Sequence, residues 1–294
     1  MRILITGANG LVGTALKLAL IQRGDSVQSL SRDPNQKPFW DPDMGLLNKQ
    51  DLEGFDAIIH LAGENLAQGR WSSALKKRIR ESRIKGTSLL TNKLSEVKQK
   101  PKKLLCASAI GIYGDHKDDI VTENTKPAKQ SFLSDLVQEW EAAAFQAPSG
   151  IDVTCMRFGV IFSEKGGALP KILTPFKLGT GGMLGNGQQY MSWITLDDVI
   201  SAIIFLLDQQ DATGSFNIVS PNPITNAEFT NTLGKVLGKP TAVTVPAFAA
   251  KLLFGEMAEA LLLCSTRTIP EKLQKLGYQF KYPNIEHAMQ HVLK

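Results

Sequence analysis

The segment Thr6-Gly7-Ala8-Asn9-Gly10-Leu11-Val12-Gly13 sets glycines at positions 7, 10 and 13. An apolar run, Arg2 to Thr6, precedes it, and Leu11, Ala15, Leu18 and Ala19 recur along one helical side after it. A glycine triplet between a strand and a helix is suited to hold a diphosphate. The first glycine permits the tight turn, the second lets phosphates approach the backbone, and the third lets the helix pack on the strand. The free N–H groups and positive dipole end of that helix favour the anion. The next apolar run ends Leu30-Ser31-Arg32. A site for NAD offers a carboxylate at this position, whereas a site for NADP needs a cation. Ser31 can donate to a phosphate oxygen and Arg32 can clamp one, so the expected dinucleotide is NADP(H). The alternative for Arg32 is a simple exposed cation, and Asp33 falls beyond the strand end.

These groups require a scaffold that alternates strands and helices. Short apolar runs recur at Arg2–Thr6, Ser26–Leu30, Asp56–Ala62, Lys103–Ala107 and Asp152–Arg157, separated by helical stretches such as Leu75 to Val97. That rhythm predicts an α/β fold with a doubly wound parallel sheet, the Rossmann arrangement. Residues 1–160 read as the dinucleotide-binding domain, with a return strand near 215–219. Residues 161–294 read as a smaller, helix-rich C-terminal lobe on the substrate side. The chain has 294 residues, 43% hydrophobic and 21% charged, which excludes intrinsic disorder, collagen-like repetition and a disulfide scaffold. Its apolar N-terminal run breaks at Gly7, and the apolar stretch from Ala242 to Cys264 is interrupted by Pro246, Lys251, Glu256 and Glu259. Neither reads as a leader or a membrane span, so the expected compartment is the cytoplasm.

The 33 Lys+Arg exceed the 28 Asp+Glu, and twelve of the cations fall between Arg70 and Lys103. Such a stretch can attract phosphates or form a solvated helix face; with Trp71 its one aromatic residue, nucleic-acid binding is not expected. Cys106, Cys155 and Cys264 lie far apart without a Cys/His cluster, and His287 and His291 lack a third ligand, so no metal site is expected.

Beyond the glycine motif, the sequence resembles an atypical, extended short-chain dehydrogenase/reductase. Leu61-Ala62-Gly63-Glu64-Asn65, Arg70-Trp71, Ser82-Arg83, Trp140-Glu141-Ala142-Ala143-Ala144, Gln189 to Ile194 and Phe254-Gly255-Glu256-Met257 carry a closer likeness. They are similar to the YfcH-like epimerase family, often described as sugar-nucleotide epimerases, with its C-terminal domain of unknown function. The resemblance implies that Gly7, Asn9, Gly10, Leu11 and Val12 surround the pyrophosphate. It also implies that Ser31 and Arg32 take the 2′-phosphate and that the turn Leu61, Ala62 and Gly63 lines the adenosine and ribose. Arg83 would reach the cofactor; its alternative is a helix-surface cation.

The same resemblance exposes two departures. Most of the superfamily uses a Tyr and a Lys spaced YxxxK on one helix, the ammonium lowering the phenol's pKa for proton exchange. Here Leu133 and Val137 occupy those places, and Tyr113 with Lys117 matches the spacing only across a loop. Nucleotide-sugar enzymes also hold the substrate diphosphate with an Arg where this chain has Met191. The candidate catalytic groups are then Ser108, at the strand end where the superfamily places its catalytic Ser, and Tyr113, whose alternative is a structural role. Arg157, Tyr190 and Trp193 are the candidate substrate residues. Arg157 has a buried ion pair as its alternative, and the two aromatics have core packing as theirs. Two functions follow as expectations: an NADP(H)-dependent oxidoreductase or epimerase acting on a small molecule, or a regulatory protein that senses NADP(H) without chemistry.

Overall fold

A computed structural model describes residues 1–66, 69–129, 131–210 and 212–294. Six parallel strands form the central sheet: β1 (Arg2–Thr6), β2 (Ser26–Leu30), β3 (Ala57–His60), β4 (Lys103–Ala109), β5 (Asp152–Phe158) and β6 (Gly214–Ile218). Their order is β6-β5-β4-β3-β1-β2. The chain steps from β1 to β2 on one side and then returns to β3 on the other. The crevice at this change of direction, beyond the carboxyl ends of β1 and β3, is where an open α/β sheet binds its ligand.

Period-two alternation explains why the sheet is covered on both faces. Ile3, Ile5, Ile59, Leu105 and Met156 meet α1 (Leu11–Gln22) through Leu16 and Leu20. Leu4, Ile58, Leu104, Cys106 and Cys155 point the other way, toward Leu90 and Leu94 of α2 (Ser73–Ser95) and Ala144 of α3 (Phe132–Ala144). Ser72 and Ser131 cap α2 and α3 through their hydroxyls. By contrast, α1 begins at Gly10 with no side-chain cap and no acid in its first turn.

The remaining helices are α4 (Leu169–Lys177), α5 (Leu196–Asp208), α6 (Asn226–Leu237), α7 (Ala247–Phe254), α8 (Glu271–Lys275) and α9 (Ile285–Val292). Helix α5 packs on the sheet beside α1. The lobe also contains two-stranded ladders, Gly182–Leu184 with Val243–Val245 and Trp193–Thr195 with Val160–Phe162. It therefore carries more strand than its helical periods imply. Asp198 fastens the C-terminal segment. Its carboxylate accepts the Lys281 N–H at 2.8 Å and the Tyr282 N–H at 3.0 Å, and its carbonyl accepts from the Tyr278 hydroxyl. Among the described residues, no helix is long and apolar enough to cross a membrane.

Candidate cofactor cleft and its buried polar network

The glycine turn is built by close backbone contacts. Gly7 has φ +69°, and a Cβ there would lie 2.7 Å from the Ala62 nitrogen. A Cβ on Gly13 would lie 2.2 Å from the Gly7 carbonyl oxygen, so helix α1 reaches the strand only because position 13 has no side chain. Gly10 differs: a Cβ there would meet just the Gly7 oxygen, at 3.3 Å, leaving its outer side open. Uncapped helix N–H groups beside that opening form the electropositive cradle a diphosphate requires.

A buried chain of hydrogen bonds secures the turn from below. The Thr6 Oγ1 accepts the N–H groups of Leu61 and Ala62, each at 3.2 Å, and lies 2.7 Å from His60 Nδ1. His60 Nε2 lies 3.0 Å from Thr87 Oγ1, which donates its own proton to the Arg83 carbonyl and accepts from Trp140 Nε1. With Thr87's proton spent, His60 must donate from Nε2, and Nδ1 accepts from Thr6. The imidazole is thus neutral and wholly buried, and burial pulls its pKa from 6.5 down to about 4. The folded protein resists a proton that the unfolded chain accepts readily. His60's contribution is fully present above about pH 6.5 and falls away as the pH drops toward about 4, a loss of about 3 kcal/mol. In urea titrations at pH 7 and pH 5, His60→Phe should shed most of the acid-induced drop in midpoint that the parent protein shows.

Arg83 lies on the same side. Its guanidinium donates to the carbonyls of Glu64 at 3.0 Å and Ile79 at 3.2 Å, and it sits 5.0 Å from the Trp140 ring centre. It is 8% exposed and makes no ion pair among the described residues. Burial lowers its pKa to about 10, against the opposing pull of Glu64. A desolvated cation next to Gly63 is well placed to meet an anionic ligand, and a surface role for Arg83 is excluded by its burial.

At the end of β2, Ser31 is half-buried and accepts the Asp33 N–H at 3.0 Å, leaving its own proton to donate. Arg32 is exposed and contacts Asp43 at 3.0 Å, both side chains 62% accessible. Such an exposed pair is worth little, so a 2′-phosphate can take over the guanidinium. Arg32→Ala should reduce the preference for NADPH over NADH roughly tenfold, comparing dissociation constants for both.

Farther along the sheet, the groups expected to act on substrate lie inside a second network, centred on Glu141 of α3. The Ser108 hydroxyl donates to Glu141 Oε1 at 2.6 Å, and Ser215 donates to Oε2 at 3.0 Å. Arg157 grips both carboxylate oxygens, through Nε and Nη2, each at 2.7 Å. Its Nη1 donates to the Tyr113 hydroxyl, which donates in turn to Asn217 Oδ1 at 2.7 Å. Ser108, Tyr113, Arg157 and Glu141 are all buried, Tyr113 completely. Burial pushes the Tyr113 phenol up to about 12, with Arg157 opposing, so it is a poor proton exchanger near neutral pH. Arg157, read as a substrate residue, instead pairs with a buried carboxylate, because Glu141 offers two desolvated oxygens that need a counterion.

Trp193 corrects the expectation that it lines the cleft. It is fully buried, stacked on Phe162 at 5.5 Å, with Nε1 donating to the Asn222 carbonyl. Tyr190 is half-buried beneath Arg267 and borders a polar recess of about 420 Å³. Asp115, Lys117, Asp118, Asn186 and Gln188 also line that recess, and Lys117 is the cation among the described lining residues. Leu133 and Val137, at the places of the Tyr/Lys pair, are buried apolar side chains. Along the basic stretch, Lys76, Arg80, Lys85 and Lys93 pair with Glu256, Glu139, Glu81 and Glu96. His291 lies 3.2 Å from Asp197 and stacks on Tyr282.

Comparisons with known proteins agree with this architecture. A model of the NAD dependent epimerase/dehydratase family matches residues 3–219, and a domain of unknown function (DUF1731) matches residues 245–292. An Epimerase family protein of Mycobacterium bovis is 38% identical over 289 residues, covering 97% of this chain and 95% of the relative. The crystal structure of human epimerase family protein SDR39U1 (isoform2) with NADPH superimposes with a TM-score of 0.91 at 31% identity, over 99% of each chain. The nucleoside-diphosphate sugar epimerase from Corynebacterium glutamicum gives a TM-score of 0.82 at 34% identity, over 100% of this chain and 58% of that one.

Proposed function

Because the chain belongs to the NAD dependent epimerase/dehydratase family, we propose that it binds NADP(H) in this cleft and responds to the bound dinucleotide. In this reading, Ser108 and Tyr113 do not relay protons. The open side of Gly10 beside an uncapped helix fits a pyrophosphate, and Ser31 with Arg32 fits a 2′-phosphate. The human relative crystallised with NADPH supports the same choice.

The carrying observation is the state of the two hydroxyls. The Ser108 proton is committed to Glu141 and the Tyr113 proton to Asn217, both away from solvent. A general acid or base must reach the atom it serves within about 3 Å, and neither group presents a free face. The test is to incubate the protein with NADPH deuterated at nicotinamide C4 and a panel of carbonyl compounds and nucleotide sugars. Binding should raise the melting temperature by mass action, with no deuterium reaching any acceptor. Transfer to any acceptor would contradict this reading, and its loss in Ser108→Ala would assign the proton to that hydroxyl.

A second reading, an oxidoreductase or nucleotide-sugar epimerase, is favoured by the recess beside Tyr190, which has room for a small polar molecule. Its proton would then travel through solvent, and turnover would survive Ser108→Ala.

A further inference from the structure

The strand end that carries Ser31 and Arg32 is fastened to a short hairpin. Ser31 donates its N–H to the Pro38 carbonyl and its own carbonyl accepts the Trp40 N–H, each at 2.9 Å. Trp40–Asp41 then pairs with Leu46–Leu47 in antiparallel fashion. Trp40 is buried, with its ring edge-on to His60 at a centroid distance of 5.9 Å. A Cβ on Gly86 of α2 would lie 3.3 Å from the same ring. Anchored in this way, the hairpin cannot drift away from Arg32.

Three carboxylates lie along this segment, and two of them are occupied locally. Asp33 accepts the Asn35 N–H and the side-chain amides of Asn35 and Gln36. Asp41 accepts the N–H groups of Asp43 and Met44. Asp43 differs. Its Oδ2 accepts from Arg32 Nη2 at 3.0 Å, and its carboxylate has no other hydrogen bond among the described residues.

We propose that Asp43 is a specificity-determining residue that restrains binding of the 2′-phosphate by occupying Arg32. The proposal rests on NADP(H) entering the cleft. A phosphate monoester carries nearly two negative charges at neutral pH. Sharing one guanidinium would set it beside a carboxylate, a repulsion that NADH, with a neutral hydroxyl there, does not meet. NADPH therefore binds by displacing Asp43 into solvent, and the lost contact lowers its affinity. Both side chains are 62% accessible, and exposed pairs are weak, so the restraint is about threefold to fivefold. It acts on the phosphorylated dinucleotide alone.

Fluorescence titrations with NADPH and NADH test this. Asp43→Asn keeps the shape and removes the charge. It should bind NADPH about threefold to fivefold tighter than the parent protein, with NADH within about twofold. Asp43→Ala should tighten NADPH in the same way, and the urea midpoints of both variants should match the parent. The gain should shrink as salt rises from about 0.05 to 0.5 M. It should also fall below about twofold when Arg32→Ala is added, because the carboxylate acts through that guanidinium. If the parent binds NADPH yet neither variant tightens it, or if NADH gains equally, the restraint is overturned while the cleft keeps its cofactor. Weaker NADPH binding by Asp43→Ala would show that Asp43 orients Arg32, and would overturn it too. No NADPH binding by any of the three proteins would instead refute the cofactor assignment, and the proposal with it.

Discussion

Glu141→Ala is expected to lower the unfolding free energy by about 3–5 kcal/mol, read from urea denaturation at neutral pH. The carboxylate is the one acceptor shared by Ser108, Ser215 and the two Arg157 nitrogens that grip it. Removing it strands a guanidinium that is 8% exposed, and its remaining contact with the Tyr113 hydroxyl supplies no negative charge. Both serines lose their acceptor as well, each a smaller cost. Burial alone would lower the Arg157 pKa, but Glu141 outweighs it and holds the group protonated through the accessible pH range. Even without Glu141 the cation cannot escape by losing its proton, because a guanidinium's ordinary pKa lies far above neutral pH. Glu141→Ala/Arg157→Met should recover much of the loss, because an apolar pair lacks the uncompensated charge. Equal destabilisation in the single and double variants would show that shape, not charge, sets the cost.

Gly10→Val should abolish measurable NADPH binding, weakening it by roughly a hundredfold or more, with little change in the urea midpoint. A Cβ at position 10 meets only the Gly7 oxygen, at 3.3 Å, so the fold has room for a small displacement. The branched side chain then occupies the open side, where the diphosphate must approach the backbone. Gly13→Ala is the useful contrast. Its Cβ would lie 2.2 Å from the Gly7 oxygen and 2.8 Å from Ala8 Cα, inside the packed junction of α1 and β1. That substitution should destabilise the protein as a whole, with binding lost as a consequence. Equilibrium dialysis at a temperature where all three proteins are folded separates the two effects.

Local spacing alone dictates much of the scaffold. The run RILIT at Arg2–Thr6, the glycines after it and the helical period to Gln22 state one strand–turn–helix unit. The structure places β1 and α1 there, within one residue at the helix start. The inner strands were likewise legible as apolar runs, because strands buried on both faces need them continuous. The edge strand β2, SVQSL, alternates instead, with Ser26 and Gln28 exposed. Side-chain destinations were harder to read, since they depend on which elements meet. Tyr113 and Arg157 are polar residues near strand ends, where substrate groups also occur, and nothing local reveals that Asn217 and Glu141 claim them from β6 and α3. Glu141 itself left a signal: it follows Leu133 and Val137 at steps of four, so a carboxylate had to lie on an apolar helix face. Such a position demands a buried cation. The apolar run around His60 reads as a strand with a buried, satisfied imidazole, and the structure agrees. Thr6 and Thr87 as its partners were not legible, because the chain of hydrogen bonds joins four elements far apart in sequence.

Titration calorimetry of the protein with NADPH and, separately, NADH tests the account most directly. One molecule of NADPH should bind per chain, roughly tenfold or more tighter than NADH, because only NADPH carries the 2′-phosphate that Ser31 and Arg32 would hold. The absence of heat with NADPH, or equal affinity for the two dinucleotides, would contradict it.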